Sequence, residues 1–242
     1  MRTIIVAIFL LFFFILSIPL YLVEIIIGKF SPKRKVQTAQ AIIVWAFKVI
    51  LFISGTNMTV LGLENIPSDQ PVLFVSNHRS YFDIVTAYAT TPHLTGFIAK
   101  KEMKNLPFIN IWMKYLNCLF LDRENIREGL KTILKGIENI KNGYSMFIAP
   151  EGTRNQGDEM LPFKEGSFKL AEKSGCPVIP VAISNTDAIF ERQIPWIKKA
   201  NVVIEYGKPI DLKQLDPDTK KRAGSYIQGI IRDTLEKNKS LI

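Results

Sequence analysis

The pattern of apolar and polar positions divides the chain near residue 57. Residues 3–23 contain no charged side chain and are dominated by Ile, Leu and Phe. As a helix this stretch would be about 31 Å long, close to the hydrocarbon thickness of a bilayer. Beyond residue 57, short apolar runs of strand length alternate with stretches of helical periodicity. The pattern predicts membrane-associated helices in residues 1–56 and a globular domain in residues 57–242.

A second helix is predicted over residues 36–55, after the basic cluster of residues 33–35. Its surface is apolar except for a thin polar side formed by Gln37, Gln40 and Lys48. This composition fits an interfacial helix or a helix packed on the first one. The basic cluster is expected among lipid head groups on the cytoplasmic side of the cell membrane. Spanning of the bilayer and insertion into one leaflet both remain open.

Charge and processing signals bear on the same segment. Six basic residues and one acidic residue in residues 1–56 contribute +5 to a formal net charge of +9. This placement favours an anionic membrane surface over nucleic acid as the partner. A cleavable signal peptide is the alternative, but the long apolar run and the lack of a small-x-small cleavage site favour a retained anchor.

The alternation beyond residue 57 predicts an α/β domain. Strands are expected at Thr59–Gly62, Val72–Ser76, Gly96–Ala99, Cys118–Leu121, Ser145–Ile148, Val178–Ile183 and Val202–Tyr206. Helices are expected near Phe82–Ala89, Pro107–Tyr115, Ile126–Lys141, Phe168–Lys173 and Lys220–Lys237. The expected fold is a mixed, mostly buried sheet flanked by helices and preceded by the hydrophobic helix pair. Functional groups in such folds gather where strands end.

The segment 77–83 joins a predicted buried strand to a predicted helix and contains His78 and Asp83. Histidine exchanges a proton near neutral pH, and a carboxylate can fix its tautomer. On one ideal helix the two side chains would point about 140° apart. They can meet only if His78 lies in the turn before the helix. Helix capping by Asp83, in the pattern Ser80-x-x-Asp83, is the competing explanation.

Cations follow three other predicted strands. A guanidinium such as that of Arg154 suits bidentate phosphate recognition, although a surface loop would also contain such a residue. Asp122 and Arg123 end another strand, where a surface salt bridge between them is the simple alternative. Three lysines follow a third strand, in a run that is also usual on a solvated face: Lys100, Lys101 and Lys104.

Four short patterns occur in one order along the chain. They are Asn-His-x4-Asp at 77–83, Phe-x-Asp-Arg at 120–123, Phe-x-x-Pro-Glu-Gly-Thr-Arg at 147–154 and Val-Ile-Pro-Val at 178–181. In this order, over roughly residues 57–210, the sequence resembles the glycerolipid acyltransferases. Within that family it is most similar to the bacterial 1-acyl-sn-glycerol-3-phosphate acyltransferase type.

The resemblance implies a role for each matching residue. His78 would be the general base, Asp83 its orienting partner, and Arg123 a contact of the acceptor phosphate. Pro180 would lie in the block associated with the acyl-donor side. The acceptor site would contain Glu151, Gly152, Thr153 and Arg154.

Two further expectations concern the surroundings of these motifs. Lys100, Lys101 and Lys104 are weaker candidates for binding an anionic head group or the donor. Asn117 stands where the second block of the family often begins with Gly. Asn tolerates positive φ better than most residues, so the turn is expected to survive.

The resemblance also implies a reaction. An acyl chain would move from acyl-CoA or acyl carrier protein to the sn-2 hydroxyl of lysophosphatidic acid, giving phosphatidic acid in phospholipid biosynthesis. Backbone amides, with the helix start as a candidate, would stabilise the oxyanion. No cofactor or metal is expected besides the acyl co-substrate, because no His/Cys/Asp cluster has ligand spacing. The acyl-chain length, the donor carrier and an acceptor such as glycerol 3-phosphate or another lysophospholipid stay open.

Three other classes fit parts of the sequence. An esterase or phospholipase could pair His78 with Ser76 or Ser80, but no Gly-x-Ser-x-Gly elbow is present. A non-catalytic protein could bind anionic lipids through Arg154 and the lysines. A nucleic-acid-binding protein fits the isoelectric point of 9.5 but not the apolar N-terminus.

Overall fold

A seven-stranded sheet forms the middle layer of the protein in a computed structural model that describes residues 1–155, 157 and 159–242. Its strands lie in the order β1-β7-β6-β2-β5-β3-β4. Neighbouring strands are parallel, except that β6 and β7 are antiparallel. The predicted mixed, mostly buried sheet is confirmed. The strands are β1 (Asn57–Leu61), β2 (Leu73–Ser76), β3 (Thr95–Lys100), β4 (Leu119–Leu121), β5 (Ser145–Ile148), β6 (Val178–Ser184) and β7 (Asn201–Tyr206).

The helices cover both faces of this sheet. They are α1 (Arg2–Phe30), α2 (Pro32–Ser54), α3 (Phe82–Thr90), α4 (Ile109–Tyr115), α5 (Ile126–Lys141), α6 (Lys169–Ser174), α7 (Pro217–Lys221) and α8 (Ala223–Lys237). The single helix predicted over residues 220–237 is therefore two helices. Asp216 starts α7 earlier than predicted, because its carboxylate accepts the backbone N–H groups of Asp218 and Thr219.

The first two helices form a hairpin with a one-residue connection at Ser31. Its hydroxyl accepts the backbone N–H of Arg34, and Pro32 occupies the first turn of α2, where its missing N–H costs nothing. Gly55 ends α2 in the left-handed conformation, with φ 71°. Both helices are long and apolar enough to cross a membrane.

The hairpin packs along one face of the sheet together with α3 and α4. The indole Nε1 of Trp112 in α4 donates to Ser17 Oγ in α1 over 2.9 Å, and the Tyr21 hydroxyl donates to the Phe108 carbonyl over 2.9 Å. In α2, the Gln40 amide donates to the carbonyl of His93. The outer side of α1 exposes a row of large apolar side chains: Ile8, Leu11, Phe12, Ile15, Leu16, Ile18 and Leu22.

The opposite face of the sheet is covered by α5, α6 and α8 around the buried side chains of Leu73, Leu170, Ile227 and Ile231. The carboxyl ends of β2, β3, β4, β5 and β6 share one edge of the sheet. Just beyond β2, the buried Asn77 amide exchanges two hydrogen bonds of 2.9 Å with the backbone of Ile183 in β6. This bridge fixes the turn that carries the next residue, His78.

Candidate active site

His78 lies in the turn between β2 and α3, as the predicted geometry requires. Its Nδ1 is 2.8 Å from Oδ2 of Asp83, which occupies the first turn of α3. The side chain of Asp83 is 2% exposed, whereas that of His78 is 20% exposed. A carboxylate accepts, so Nδ1 carries the proton and Nε2 carries the lone pair. Among the described residues Nε2 has no hydrogen-bond partner, which leaves it available to an incoming hydroxyl.

Asp83 both orients His78 and caps the helix. Its Oδ2 also accepts the backbone N–H groups of Arg79, over 2.7 Å, and Ser80, over 2.9 Å. Its Oδ1 accepts the hydroxyl of Thr186, which follows β6. The catalytic and capping explanations of the pattern are therefore compatible, because one carboxylate serves both. Four donors on a buried carboxylate hold it rigidly in place.

The helix start offers no free amides. The five successive backbone N–H groups of residues 78–82 are accepted by the side chains of Glu151, Asp83, Glu191 and Ser80. Three of these acceptors are acids, which the positive end of the α3 dipole attracts. The prediction that amides here stabilise an oxyanion is therefore wrong. In the described part of the chain, the N–H groups of Thr153 and Arg154 are donors near the site that lack an acceptor.

Glu151 ties the loop after β5 to the His78 turn. It is 4% exposed, and its two oxygens accept the backbone N–H groups of His78, over 2.7 Å, and Leu161, over 2.9 Å. Burial raises the pKa of the Glu151 carboxyl, and the two N–H groups partly offset this rise. The backbone N–H of Asn155 donates in turn to the His78 carbonyl over 2.8 Å. Glu151 therefore positions the turn that carries the histidine.

Gly152 lies where candidate phosphate-binding residues from the loops after β4 and β5 come together. It has φ 79°, a conformation that strains residues with a Cβ atom. The space beside its Cα holds the guanidinium of Arg123, from the loop after β4, and the ammonium of Lys164. Burial lowers the pKa of Arg123, and the charge of Glu102 partly offsets this effect. The predicted juxtaposition of Arg123 with the Glu-Gly-Thr-Arg loop is present in the structure.

Arg154 is engaged by protein groups. Its guanidinium lies 3.7 Å above the ring of Tyr81, donates to the Tyr81 hydroxyl over 3.0 Å and lies 3.6 Å from Glu191 Oε1. The side chain of Glu191 is 2% exposed and also accepts the Ser80 hydroxyl over 2.6 Å. Sequence reasoning missed Glu191, since nothing in a single loop glutamate after β6 signals that it is buried beside the site.

The predicted lysines make no hydrogen bond or ion pair with His78 or Asp83. Lys101 pairs with Asp122 over 3.2 Å, so Asp122 is not the partner of Arg123, and Lys100 lies 3.7 Å from Glu102. These two lysines fit the solvated-face alternative.

Lys104 is exposed and has no ion pair within the described residues. Pro180 is buried inside β6, in register with Val75 of β2, and its carbonyl accepts the Gly207 N–H over 2.8 Å. Asn117 adopts φ 56°, so the expected turn is retained. No group of three His, Cys, Asp or Glu residues suited to a metal ion occurs in the described ranges.

Fold and site together define a membrane-associated α/β enzyme with a histidine–aspartate pair and nearby cations. The family model for acyltransferases matches residues 57–184, and the chain belongs to the acyltransferase family. It is similar to a 1-acyl-sn-glycerol-3-phosphate acyltransferase of Saccharomyces cerevisiae, with 32% identity over 78% of this chain and 63% of that protein. A protein of the same description from Borreliella burgdorferi is also 32% identical, over 78% of this chain and 76% of its own length.

A solved structure extends the similarity to the whole chain. The crystal structure of the 1-acyl-sn-glycerophosphate acyltransferase PlsC from Thermotoga maritima superposes with a TM-score of 0.79 and 26% identity. The match covers 99% of this chain and 98% of that one, so it includes the helix hairpin.

Proposed function

We propose that this acyltransferase moves an acyl chain from an acyl thioester to the sn-2 hydroxyl of 1-acyl-sn-glycerol 3-phosphate, giving phosphatidic acid. The observation that carries the proposal is the His78–Asp83 pair, with Nε2 open and with Arg123 and the Glu151–Arg154 loop beside it. The names of the relatives in yeast, Borreliella and Thermotoga support the same acceptor.

The first step uses His78 as a general base. Nε2 takes the proton of the acceptor hydroxyl while that oxygen forms a bond to the thioester carbonyl carbon. Asp83 holds the ring and stabilises the imidazolium that forms. The tetrahedral intermediate collapses with cleavage of the carbon–sulfur bond, and the imidazolium returns its proton to the leaving thiolate. Because the acceptor attacks directly, the scheme needs no acyl-enzyme, metal or resident cofactor.

The negative charge that develops on the thioester carbonyl oxygen needs a hydrogen-bond donor outside the start of α3. The Arg154 N–H, which has no acceptor among the described residues, is the candidate, because the adjacent Asn155 N–H already contacts the His78 turn. Arg123 is proposed to contact the acceptor phosphate, and Arg154 to border the acceptor site from its position on Tyr81. A donor-side role for Pro180 would be indirect, through the position of β6.

The proposed location is the cell membrane, with the catalytic layer on the cytoplasmic side. Support comes from the exposed apolar side of α1 and from the basic residues at the hairpin turn, Lys29, Lys33, Arg34 and Lys35. Since α2 packs along the sheet layer, insertion of the hairpin into one leaflet fits these contacts better than two free-standing spans. This arrangement brings a bilayer-anchored acceptor to the site.

Product analysis tests the proposal. The full chain in detergent micelles receives lysophosphatidic acid with acyl-CoA or with acyl carrier protein, and thiol release and lipid products are measured. We expect thiol release that depends on the acceptor, with phosphatidic acid as the product. Thiol release at the same rate without acceptor would indicate a hydrolase. If product forms only from glycerol 3-phosphate or only from another lysophospholipid, that molecule is the acceptor in place of lysophosphatidic acid. No turnover with any acceptor would contradict the proposed acyltransferase reaction.

A further inference from the structure

Two cationic groups converge on the backbone of Gly152. A Cβ atom at this glycine would lie 3.0 Å from Nζ of Lys164 and 3.7 Å from Cζ of Arg123. The two charged groups therefore both lie within 4 Å of one point beside Gly152. Like charges at this separation disfavour each other, and an anion between them removes the repulsion.

Among the described residues, no neighbouring carboxylate neutralises either charge. No carboxylate among the described residues lies within ion-pair distance of Arg123 or Lys164, although Lys101 and Arg154 nearby both have such partners. Glu102 influences Arg123 only from beyond that distance. Within the part of the chain that the structure describes, the pair is thus a cationic site without a carboxylate counter-ion.

The backbone beside this pair adds a donor. Gly152 is in the left-handed conformation, and the next N–H group, of Thr153, has no acceptor within the described residues. A backbone N–H that follows such a residue can donate to an anion. The same loop reaches the His78 carbonyl through the Asn155 N–H. An anion at Gly152 would therefore lie on the loop that contacts the base.

We infer that Lys164 binds the phosphate monoester of the acceptor together with Arg123, and that it selects this head group over neutral ones. The inference rests on the proposed function, which it deepens by assigning a residue outside the four sequence motifs. Two converging cations suit a phosphate monoester, which carries up to two negative charges. Arg154, whose guanidinium lies beside Glu191, then borders the phosphate site, and Arg123 and Lys164 provide the charges that bind the phosphate.

The test compares Lys164→Ala, Lys164→Arg and the matched control Lys169→Ala. Lys169 is an exposed lysine five positions along, at the start of α6, and has no ion pair within the described chain. Steady-state kinetics use the full-length protein with lysophosphatidic acid and with 1-acylglycerol, which lacks the phosphate. A hydrogen bond to a charged group contributes about 1.5–3 kcal/mol. Its loss corresponds to about 10–100-fold in KM.

We expect Lys164→Ala to raise the KM for lysophosphatidic acid by that factor with little change in kcat. Lys164→Arg should restore most of the affinity, and Lys169→Ala should match the wild type. Activity toward 1-acylglycerol should be the same in all four proteins. An unchanged KM for lysophosphatidic acid in Lys164→Ala, or an equal loss with both acceptors, overturns the inference.

A second measurement needs no turnover. Glycerol 3-phosphate should raise the thermal unfolding midpoint of the wild type and of Lys169→Ala, but not that of Lys164→Ala. Equal stabilisation of all three proteins, or of none, contradicts a role for Lys164. Stabilisation through Lys164 in a protein that forms no phosphatidic acid would instead reject the proposed reaction and leave the anion site standing.

Discussion

Oδ2 of Asp83 lies 2.8 Å from Nδ1 of His78, and the same oxygen accepts two backbone N–H groups at the start of α3. The helix start and the ring of the histidine are therefore held by a single atom. The side chain of Asp83 is almost completely buried, and that of His78 is partly open. This arrangement fixes the imidazole through Nδ1 and leaves Nε2 without a hydrogen-bond partner among the described residues.

Replacing His78 with Ala should lower turnover by about 10²–10⁴-fold, because the general base is lost while both substrates still bind. The partly exposed ring makes no other side-chain hydrogen bond among the described residues, so the thermal midpoint should change little. Steady-state rates and a melting curve on the same preparation provide the measurement. Retained turnover in a folded variant would remove His78 from the mechanism.

Asp83→Asn should impair both turnover and stability. An amide at this position brings N–H donors against the donors of Arg79, Ser80 and Thr186, so buried groups lose their acceptor, at about 1–3 kcal/mol each. The histidine loses the acceptor that sets its tautomer. Thr186→Val is the matched control, because it removes one bond to Asp83 and none to His78. A stability loss with unchanged turnover in Asp83→Asn would leave capping as its only role.

Arg154→Ala should raise the KM for the acceptor, and Glu191→Gln should do so in the same direction, since the carboxylate holds the guanidinium on Tyr81. If they act as one unit, the double variant should be no worse than the more damaging single variant. A double-variant cycle on KM and kcat measures this coupling. Fully additive losses would show that Glu191 serves only the helix start, through Ser80 and the Tyr81 N–H.

The raised pKa of Glu151 gives a pH dependence of stability. The folded protein holds this proton more tightly than the unfolded chain, so the contribution of Glu151 falls as pH rises from its ordinary value through its raised value. Gln does not titrate. The free energy of unfolding of wild type minus that of Glu151→Gln should therefore decrease across this window. Denaturant unfolding at a series of mildly acidic pH values measures the difference, and a flat or rising difference would contradict it.

Local sequence patterns were sufficient to predict the positions of residues that lie within one strand and the turn that follows it. His78 and Asp83 meet because a buried strand delivers a turn directly before a helix, and this can be predicted from five residues of spacing. Arg123 and Arg154 were placed at the correct edge for the same reason. Only the structure showed that the catalytic and capping explanations are compatible, because one oxygen accepts all three donors.

Tertiary contacts account for what the sequence did not predict. Lys164 and Glu191 belong to separate loops and reach the site only through the packing of β5 and β6 beside β2. The amides at the start of α3 were available in principle, but Asp83 of the helix itself and two acids from distant positions, Glu151 and Glu191, occupy most of them. Spacing along the chain contains no information on such competition for donors.

The hydrogen bonds that join Ser17 and Tyr21 of α1 to the α4 region make the hairpin a structural part of the catalytic domain. Deleting residues 1–56 to obtain a detergent-free protein would strip the aromatic covering from one face of the sheet, and not simply release the enzyme from lipid. In the proposed membrane location, lipid acyl chains around α1 would solvate part of the fold itself. A change in bilayer composition would then alter the rigidity of the catalytic layer as well as the supply of acceptor.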